Sequence, residues 1–195
     1  MQIDYDILIT YGAVARKYDK GEIVFHEGAM PHFYYQVVEG AVKMFSSNAA
    51  GRELTQGLFN EGQSFGEPAL LLGRAYPGTA QTTMPAVLVK ISKEKWLSIL
   101  QDYPEIANRL LYTFAERIYQ KANALRVWVC HSPEEKIFQF LRNTKGEAEV
   151  QKYCVPFTRQ QIADFTGLRV ETVIRTLIRM NKQGKLSIVD HKIYF

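Results

Sequence analysis

Residues 158–184 read TRQQIADFTGLRVETVIRTLIRMNKQG, and this run decides the fold of the C-terminal part of the chain. Thr158 suits the N-cap of a short helix, and Gly167 allows the left-handed backbone of a tight turn. A second helix is expected from about Arg169 to Gln183, closed by Gly184. Two helices joined by a three-residue glycine turn are typical of a helix-turn-helix.

The second helix is predicted to have two chemically different sides. Its expected buried stripe is Val170, Val173, Ile174, Leu177 and Met180, and its opposite face carries Glu171, Arg175 and Arg179, flanked by Thr172, Thr176 and Lys182. The second helix of a helix-turn-helix enters the major groove by its N-terminal residues. Arginine there can donate to guanine O6 and N7, and glutamate can accept from cytosine N4. The alternative for Glu171 and Arg175 is an ordinary ion pair one helical turn apart, which is compatible with base contact.

The charge distribution and the C-terminal run agree with DNA binding. Up to Pro104 the chain has nine Lys and Arg against 11 Asp and Glu, whereas from Glu105 it has 15 against nine, within a total net charge of +4. A polyanion would therefore meet the C-terminal half. Residues 185–195, KLSIVDHKIYF, predict a two-stranded wing that turns at Asp190 and His191.

The N-terminal half has the composition of a turn-rich β domain. Ten of the 13 glycines lie between Gly12 and Gly78, and none follows until Gly146. The strand candidates are rich in β-branched and aromatic residues. They are residues 22–25, 33–38, 41–46, 53–59, 80–83 and 86–92. Short strands of this kind predict an antiparallel barrel or jelly roll.

Helical periodicity begins at Lys93, with a short helix up to Leu100. A long helix is expected from Glu105, with apolar residues at intervals of three or four, the spacing of a coiled-coil seam. They are Ala107, Leu111, Phe114, Ile118, Ala122, Leu125 and Val129. This pattern favours dimerisation through Leu111, Phe114, Ile118, Ala122 and Leu125; the alternative is a surface helix lying on its own barrel.

A domain boundary is predicted at residues 132–135, SPEE, where Ser132 can cap a new helix, Pro133 suits its first position and Glu135 completes a capping box. The expected fold is α+β: a double-stranded β-helix or jelly-roll sensor barrel over 1–104, a dimerisation helix over 105–131 and a winged helix-turn-helix over 132–195.

Several classes of protein are disfavoured. No apolar run approaches the roughly 20 residues that span a bilayer, and residues 1–6, MQIDYD, lack the features of a signal peptide, so we expect a cytoplasmic protein with no membrane partner. Cys130 and Cys154 form no CxxC pair, which predicts reduced thiols rather than a zinc ribbon or iron–sulfur cluster. His26, His32 and His131 have no partner at ligand spacing, so neither a metal site nor haem is expected.

The whole chain resembles the Crp/Fnr family, which includes the cyclic-AMP receptor protein and the anaerobic fumarate–nitrate regulator. The resemblance rests on the C-terminal run 158–175 and on KGE at 20–22, HEG at 26–28, YY at 34–35, VEG at 38–40 and GQSFGE at 62–67. It implies a homodimer that reads a roughly palindromic operator with Glu171 and Arg175, and the LRVET run is nearer to the fumarate–nitrate branch. RNA polymerase is expected as a further partner. The predicted DNA-binding residues are Thr158, Arg159, Gln160, Arg169, Val170, Glu171, Thr172, Arg175 and Arg179.

Two departures from the family bear on DNA recognition. Arg169 opens the second helix where Ser or Thr is common, which removes a cap but adds a phosphate contact. Ile174 stands where the fumarate–nitrate branch carries a serine. The outer part of the half-site is therefore not expected to be shared with that branch.

The sensor pocket also departs from the family. In members that bind cyclic AMP, a Gly-Glu pair approaches the ribose and an Arg-Ser pair holds the phosphate. This chain has Gly66-Glu67 but Gly78-Thr79, and a glycine supplies no cation. Lys121 and Ala122 replace the hydroxyl residues that contact the base. Cyclic AMP is thus not expected. For an unidentified effector, the predicted ligand-binding residues are Gly66, Glu67, Thr79 and Lys121. Lys121 is expected to face an anionic ligand, and the alternative for Glu67 is a structural role.

The sequence as a whole predicts a homodimeric DNA-binding transcription regulator, gated by a small molecule or a redox signal and requiring no cofactor. One alternative is a cyclic-nucleotide-binding module without a transcriptional role, which the helix-turn-helix disfavours. The other is a cupin-like metalloenzyme, which would need a cluster of His and Glu ligands on facing strands. No such cluster is apparent, so no enzymatic activity is expected.

Overall fold

The computed structural model describes residues 2–47, 53–130, 132–145 and 153–195, and the side chains of these residues except 124–129. The chain forms two compact units, Met1–Ala115 and Glu116–Phe195. The elements of the first unit are α1 (Tyr5–Thr10), β1 (Val14–Tyr18), β2 (Ile23–Phe25), β3 (Phe33–Glu39), β4 (Ala41–Ser47), β5 (Glu53–Asn60), β6 (Ser64–Phe65), α2 (Glu67–Leu72), β7 (Thr79–Thr82), β8 (Ala86–Ser92) and α3 (Lys93–Asp102). Helix α4 (Pro104–Val129) begins in this unit and continues into the second.

The strands form two antiparallel four-stranded sheets, in the orders β1-β8-β3-β6 and β2-β7-β4-β5. Side chains of both sheets meet in one apolar cluster, for example Tyr35 and Leu88 from the first sheet and Phe25 and Val42 from the second. Two antiparallel sheets with a shared core are the architecture of a jelly roll. The predicted β-rich sensor fold is confirmed.

Four short elements of this unit carry too little signal to be predicted: α1, β1, β6 and α2. Strand β1 is exposed at four of its five positions and lies at the edge of its sheet. Its sequence VARKY therefore lacks the alternation of a half-buried strand. Strand β6 has only two residues, and each helix has six.

The first turns of α4 are fixed to the sensor unit. Ile106 and Leu110 are buried in a second apolar cluster together with Trp96. The main-chain oxygen of Gln2 accepts from Arg109 Nη1 (3.3 Å), and the Gln2 side-chain oxygen accepts from Thr113 Oγ1 (3.0 Å). One side of the first turns of α4 thus packs against the sensor unit of its own chain.

The second unit contains α5 (Pro133–Lys145), α6 (Arg159–Thr166), α7 (Val170–Lys182), β9 (Ser187–Val189) and β10 (Lys192–Tyr194). The predicted capping box at its first helix is confirmed, because Glu135 N donates to Ser132 Oγ (3.1 Å) and Ser132 N donates to Glu135 Oε2 (3.3 Å). Residues 153–155 pair with the end of the chain, which the sequence did not predict: Tyr153 and Phe195 exchange two main-chain hydrogen bonds (3.0 and 2.9 Å). The wing therefore has a third extended segment beside β10.

Candidate functional site

The two helices of the motif are joined as the sequence predicts. Thr158 Oγ1 accepts from Gln161 N (3.2 Å), and Gln161 Oε1 accepts from Thr158 N (2.8 Å), so α6 begins with a complete capping box. Gly167 ends α6 with φ +67°. Arg169 is the N-cap of α7 and makes no side-chain capping bond, which leaves its exposed side chain at the N-terminal end of the helix.

The solvent face of α7 differs from the predicted one at two positions. Thr176 is buried, 4 % exposed, and Ile174 is 44 % exposed. The core of the unit is filled from α7 by Val173, Leu177 and Met180. At 100° per residue Thr176 falls beside these three, whereas Ile174 lies at the edge of the opposite side. The apolar stripe predicted from the sequence was therefore too wide at Ile174, and the polar face was wrong at Thr176.

Glu171 and Arg175 are both exposed on this solvent face. Within the described part of the chain neither side chain has a hydrogen-bond or ion-pair partner. The alternative, an ion pair between Glu171 and Arg175, is thus not formed in this conformation. Both groups can reach an external partner without first breaking an internal contact.

Arg179, one turn further along, is placed differently. Its Nη2 atom lies 3.1 Å from Glu134 Oε2, and Lys185 Nζ lies 2.5 Å from Glu134 Oε1. The Lys185 hydrogen bond, with the Arg179 charge beside it, lowers the pKa of Glu134 below its ordinary value. These ion pairs connect the start of α5, the end of α7 and the approach to the wing. Arg179 as a DNA contact stays a prediction, and it would require sharing or breaking its bond to Glu134.

The tip of the wing lies next to the start of α6. Asp190 and His191 form the turn with φ +47° and +61°, as predicted, and Arg159 Nη1 donates a hydrogen bond to the main-chain oxygen of His191. Gln160 Nε2 donates to Asp164 Oδ1 (2.8 Å). Arg159 therefore has a structural partner in the wing.

The other predicted DNA-binding residues fall at the same end of the motif. Thr158, Gln160 and Arg169 are exposed, and Val170 and Thr172 are half-buried in the first turn of α7. Apart from Arg175 and Arg179 further along α7, the predicted set therefore lies at the starts of α6 and α7.

Helix α4 carries a row of large exposed side chains. Leu111 is 65 % exposed and Ile118 68 %, and Ala122 is exposed too. Tyr112 and Tyr119, which the coiled-coil template does not select, are 78 % and 67 % exposed. These tyrosines are spaced by seven like Leu111 and Ile118, and that spacing was the signal that could have found them.

Two members of the predicted seam differ from the rest. Phe114 is half-buried against the sensor cluster that holds Ile106 and Leu110, so part of its surface faces its own chain. The side chain of Leu125 lies outside those that the structure describes.

The sensor interior next to Gly66 is filled by aromatic rings. Tyr76 is 4 % exposed, and its ring stacks on Phe25 with centroids 3.6 Å apart. At Gly66, where φ is +81°, a Cβ would lie 3.0 Å from Tyr76 Cε1, so a larger residue would strain the backbone and push the ring away. Burial raises the pKa of the Tyr76 phenol well above its usual range.

The predicted ligand-binding side chains have protein partners or lie at the surface. Glu67 is fully buried and accepts a hydrogen bond from Ser64 Oγ. Thr79 Oγ1 accepts from Glu27 N (3.0 Å), and Lys121 is exposed on α4. A Cβ at Gly78 would lie 2.9 Å from the Phe45 carbonyl oxygen, so this position offers no room for a phosphate-binding side chain without a shift.

Over the part of the chain that the structure describes, no group of three or more His, Cys, Asp or Glu could hold a metal ion. Cys130 is half-buried and Cys154 is exposed, and neither forms a disulfide within the described residues. His131 lies outside the described residues. Among the helices that are described, none is both long and apolar enough to cross a membrane.

Two family models match the chain, the cyclic nucleotide-binding domain over residues 15–103 and the Crp-like helix-turn-helix domain over residues 135–194. They correspond to the two-sheet unit and to the α5–α6–α7 unit with its wing. The chain belongs to the Crp/Fnr family.

Relatives within the Crp/Fnr family are regulators of transcription. The chain is 25 % identical over 202 residues to the transcriptional activator protein anr of Pseudomonas aeruginosa, covering 98 % of this chain and 80 % of that protein. It is 23 % identical over 185 residues to the cyclic AMP receptor protein of Thermus thermophilus, covering 93 % and 82 %. Relatives of this kind disfavour the metalloenzyme alternative.

Solved Crp/Fnr-type structures share the fold. The c-di-GMP-responsive global regulator CLP of Xanthomonas campestris matches with a TM-score of 0.78 and 21 % identity, over 97 % of this chain and 98 % of that one. A CooA mutant of Carboxydothermus hydrogenoformans matches with a TM-score of 0.81 and 15 % identity, over 97 % and 85 %. At these identities the likeness concerns the fold alone.

Proposed function

We propose that this Crp/Fnr protein is a sequence-specific, DNA-binding transcription regulator whose helix α7 reads bases in the major groove. The observation that carries this function is the exposure of Glu171 and Arg175 in the N-terminal half of α7, without partners in the described part of the chain. The N-terminal residues of a recognition helix are those that meet base edges. Arginine and glutamate one turn apart can address a guanine and a cytosine.

We propose that the regulator acts as a homodimer. Leu111 and Ile118 present a strip of apolar surface on α4 that its own chain leaves exposed, and pairing with a second copy would remove that surface from water. A two-fold dimer reads two half-sites about 34–36 Å apart, so the operator is roughly palindromic. RNA polymerase is proposed as a further partner, which an activator would contact at the promoter, and the cytoplasm is the proposed compartment.

The test is a comparison of operator and random DNA. An operator is first selected from a randomised library, and affinities for it and for a scrambled duplex are then measured by fluorescence anisotropy at one salt concentration. Arg175→Ala should lose about 1–3 kcal/mol of preference in each half-site. Arg169→Ala, the matched control, removes the same charge at the start of α7 and should weaken both duplexes alike. An Arg175→Ala protein with wild-type preference would refute the base-reading role.

We propose that the sensor unit transmits a small-molecule or redox signal other than cyclic AMP. Two observations support the exclusion of cyclic AMP. Gly78 has no cationic side chain that could hold the phosphate, and Tyr76 packs closely beside Gly66. Saturable binding of cyclic AMP in titration calorimetry would contradict it. For the redox alternative, operator affinity is compared between reduced and oxidised protein and in the Cys130→Ser and Cys154→Ser variants.

A further inference from the structure

The solvent face of α7 contains two isoleucines. Ile174 is 44 % exposed and Ile178 48 %, and they lie one helical turn apart. The core beneath them is complete, because Val173, Leu177 and Met180 fill it. Folding of this unit therefore does not require an isoleucine at position 174.

Ile174 stands among the side chains that are proposed to read DNA. It follows Glu171 by three residues, so the two side chains are neighbours on the helix surface, and Arg175 is the next residue along the chain. All three lie in the first two turns of α7, the part that reaches the groove floor. Ile178 lies a further turn, about 5.4 Å, towards the C-terminus.

The major groove contains one apolar group among its base-edge features, the 5-methyl of thymine. The N7, O6, O4, N6 and N4 groups of the other edges are hydrogen-bond donors or acceptors, and covering such a group with an aliphatic side chain leaves it without a partner, which is unfavourable. An isoleucine held against base edges thus favours thymine and rejects pairs that place an amino group or carbonyl there.

We infer that Ile174 is a specificity-determining residue that selects a thymine next to the base pair read by Glu171 and Arg175, through contact with its methyl group. This inference rests on the proposed function and adds one base to the half-site. A methyl group left uncovered costs about fourfold in affinity for one half-site and about 15-fold for both.

The test uses the full-length protein and a library-selected operator in which thymines are replaced, one symmetric pair at a time, by deoxyuridine. Deoxyuridine keeps base pairing and removes only the methyl group. Wild-type protein should lose about 15-fold in affinity at one thymine pair. Ile174→Ala should bind the thymine and deoxyuridine duplexes equally, and Ile178→Ala, the matched control, should keep the wild-type penalty.

Each outcome decides a different claim. A wild-type protein that prefers the operator over random DNA but tolerates deoxyuridine everywhere would overturn the role of Ile174 alone, as would an Ile174→Ala variant that keeps the full penalty. Absence of any operator preference in the wild type would instead overturn the proposed function. If Ile174→Ala binds too weakly to measure, the same comparison is made with Ile174→Val. Its loss of affinity for the deoxyuridine duplex should be smaller than that of the wild type. An equal loss would contradict the contact.

Discussion

Replacing both Leu111 and Ile118 with alanine should dissociate the dimer without unfolding the chain. The two side chains lie seven residues apart on α4 and are 65 % and 68 % exposed in the single chain. If α4 pairs with its copy, four such side chains leave water together. Alanine keeps the helix, because it has the highest helix propensity.

The magnitude follows from these exposures. Burying a whole leucine or isoleucine side chain contributes about 1.5–3 kcal/mol, and about two thirds of each is exposed before pairing. Each side chain thus contributes about 1–2 kcal/mol, and the four together about 4–8 kcal/mol. The double variant should raise the dimer dissociation constant by roughly 10³- to 10⁶-fold.

Sedimentation equilibrium over nanomolar to micromolar protein concentration measures this constant, and far-UV circular dichroism checks that the helices remain. The matched control is Gln120→Ala, an exposed residue of the same helix whose side chain donates to Glu116 Oε1 (2.8 Å). The control should dimerise like the wild type. A double variant that dimerises as tightly as the wild type would refute the seam on α4.

Three further predictions concern the packing and charges of the two units. Tyr76→Ala should lower the free energy of unfolding of the sensor unit by about 3–5 kcal/mol in urea, because a buried ring stacked on Phe25 is lost. Tyr76→Phe keeps the ring and is the control. An equal decrease in the free energy of unfolding in both variants would contradict the packing of this ring. The lowered pKa of Glu134 means that its ion pairs stabilise the second unit fully above about pH 4.5 and lose this effect as the pH falls through the lowered value. Glu134→Gln should reduce the dependence of the thermal midpoint on pH between 3 and 6, by a modest amount because the side chains of Arg179 and Lys185 are about half exposed and solvent screens the pairs; an unaltered pH profile would count against it. Arg169→Ala should reduce the slope of log affinity against log salt by about two, one phosphate in each half-site, and an unchanged slope would exclude a phosphate contact.

The sequence predicts the helix-turn-helix well because local interactions define it. Thr158 and Gln161 cap α6, and Gly167 and Gly184 adopt positive φ at the ends of the two helices. These signals act within a few residues and do not depend on the rest of the fold. The capping box at Ser132 is of the same kind.

The elements that sequence reasoning missed depend on distant neighbours. The pairing of Tyr153 with Phe195 joins segments 42 residues apart in the chain. The burial of Thr176 and the exposure of Ile174 are decided by which side of α7 the other helices cover, and six apolar residues on one helix leave more than one consistent stripe. The filling of the sensor interior by Tyr76 likewise follows from packing between strands and not from the motif at Gly66-Glu67.

Arg175 is proposed to read a guanine in the major groove. The most direct measurement replaces each guanine of the selected operator, in symmetric pairs, by 7-deazaguanine, which lacks the N7 acceptor and keeps Watson–Crick pairing. We expect one guanine pair at which the substitution weakens binding of the wild type and leaves the Arg175→Ala variant unaffected. An equal effect of every substitution on both proteins, or no effect at any guanine, would contradict it.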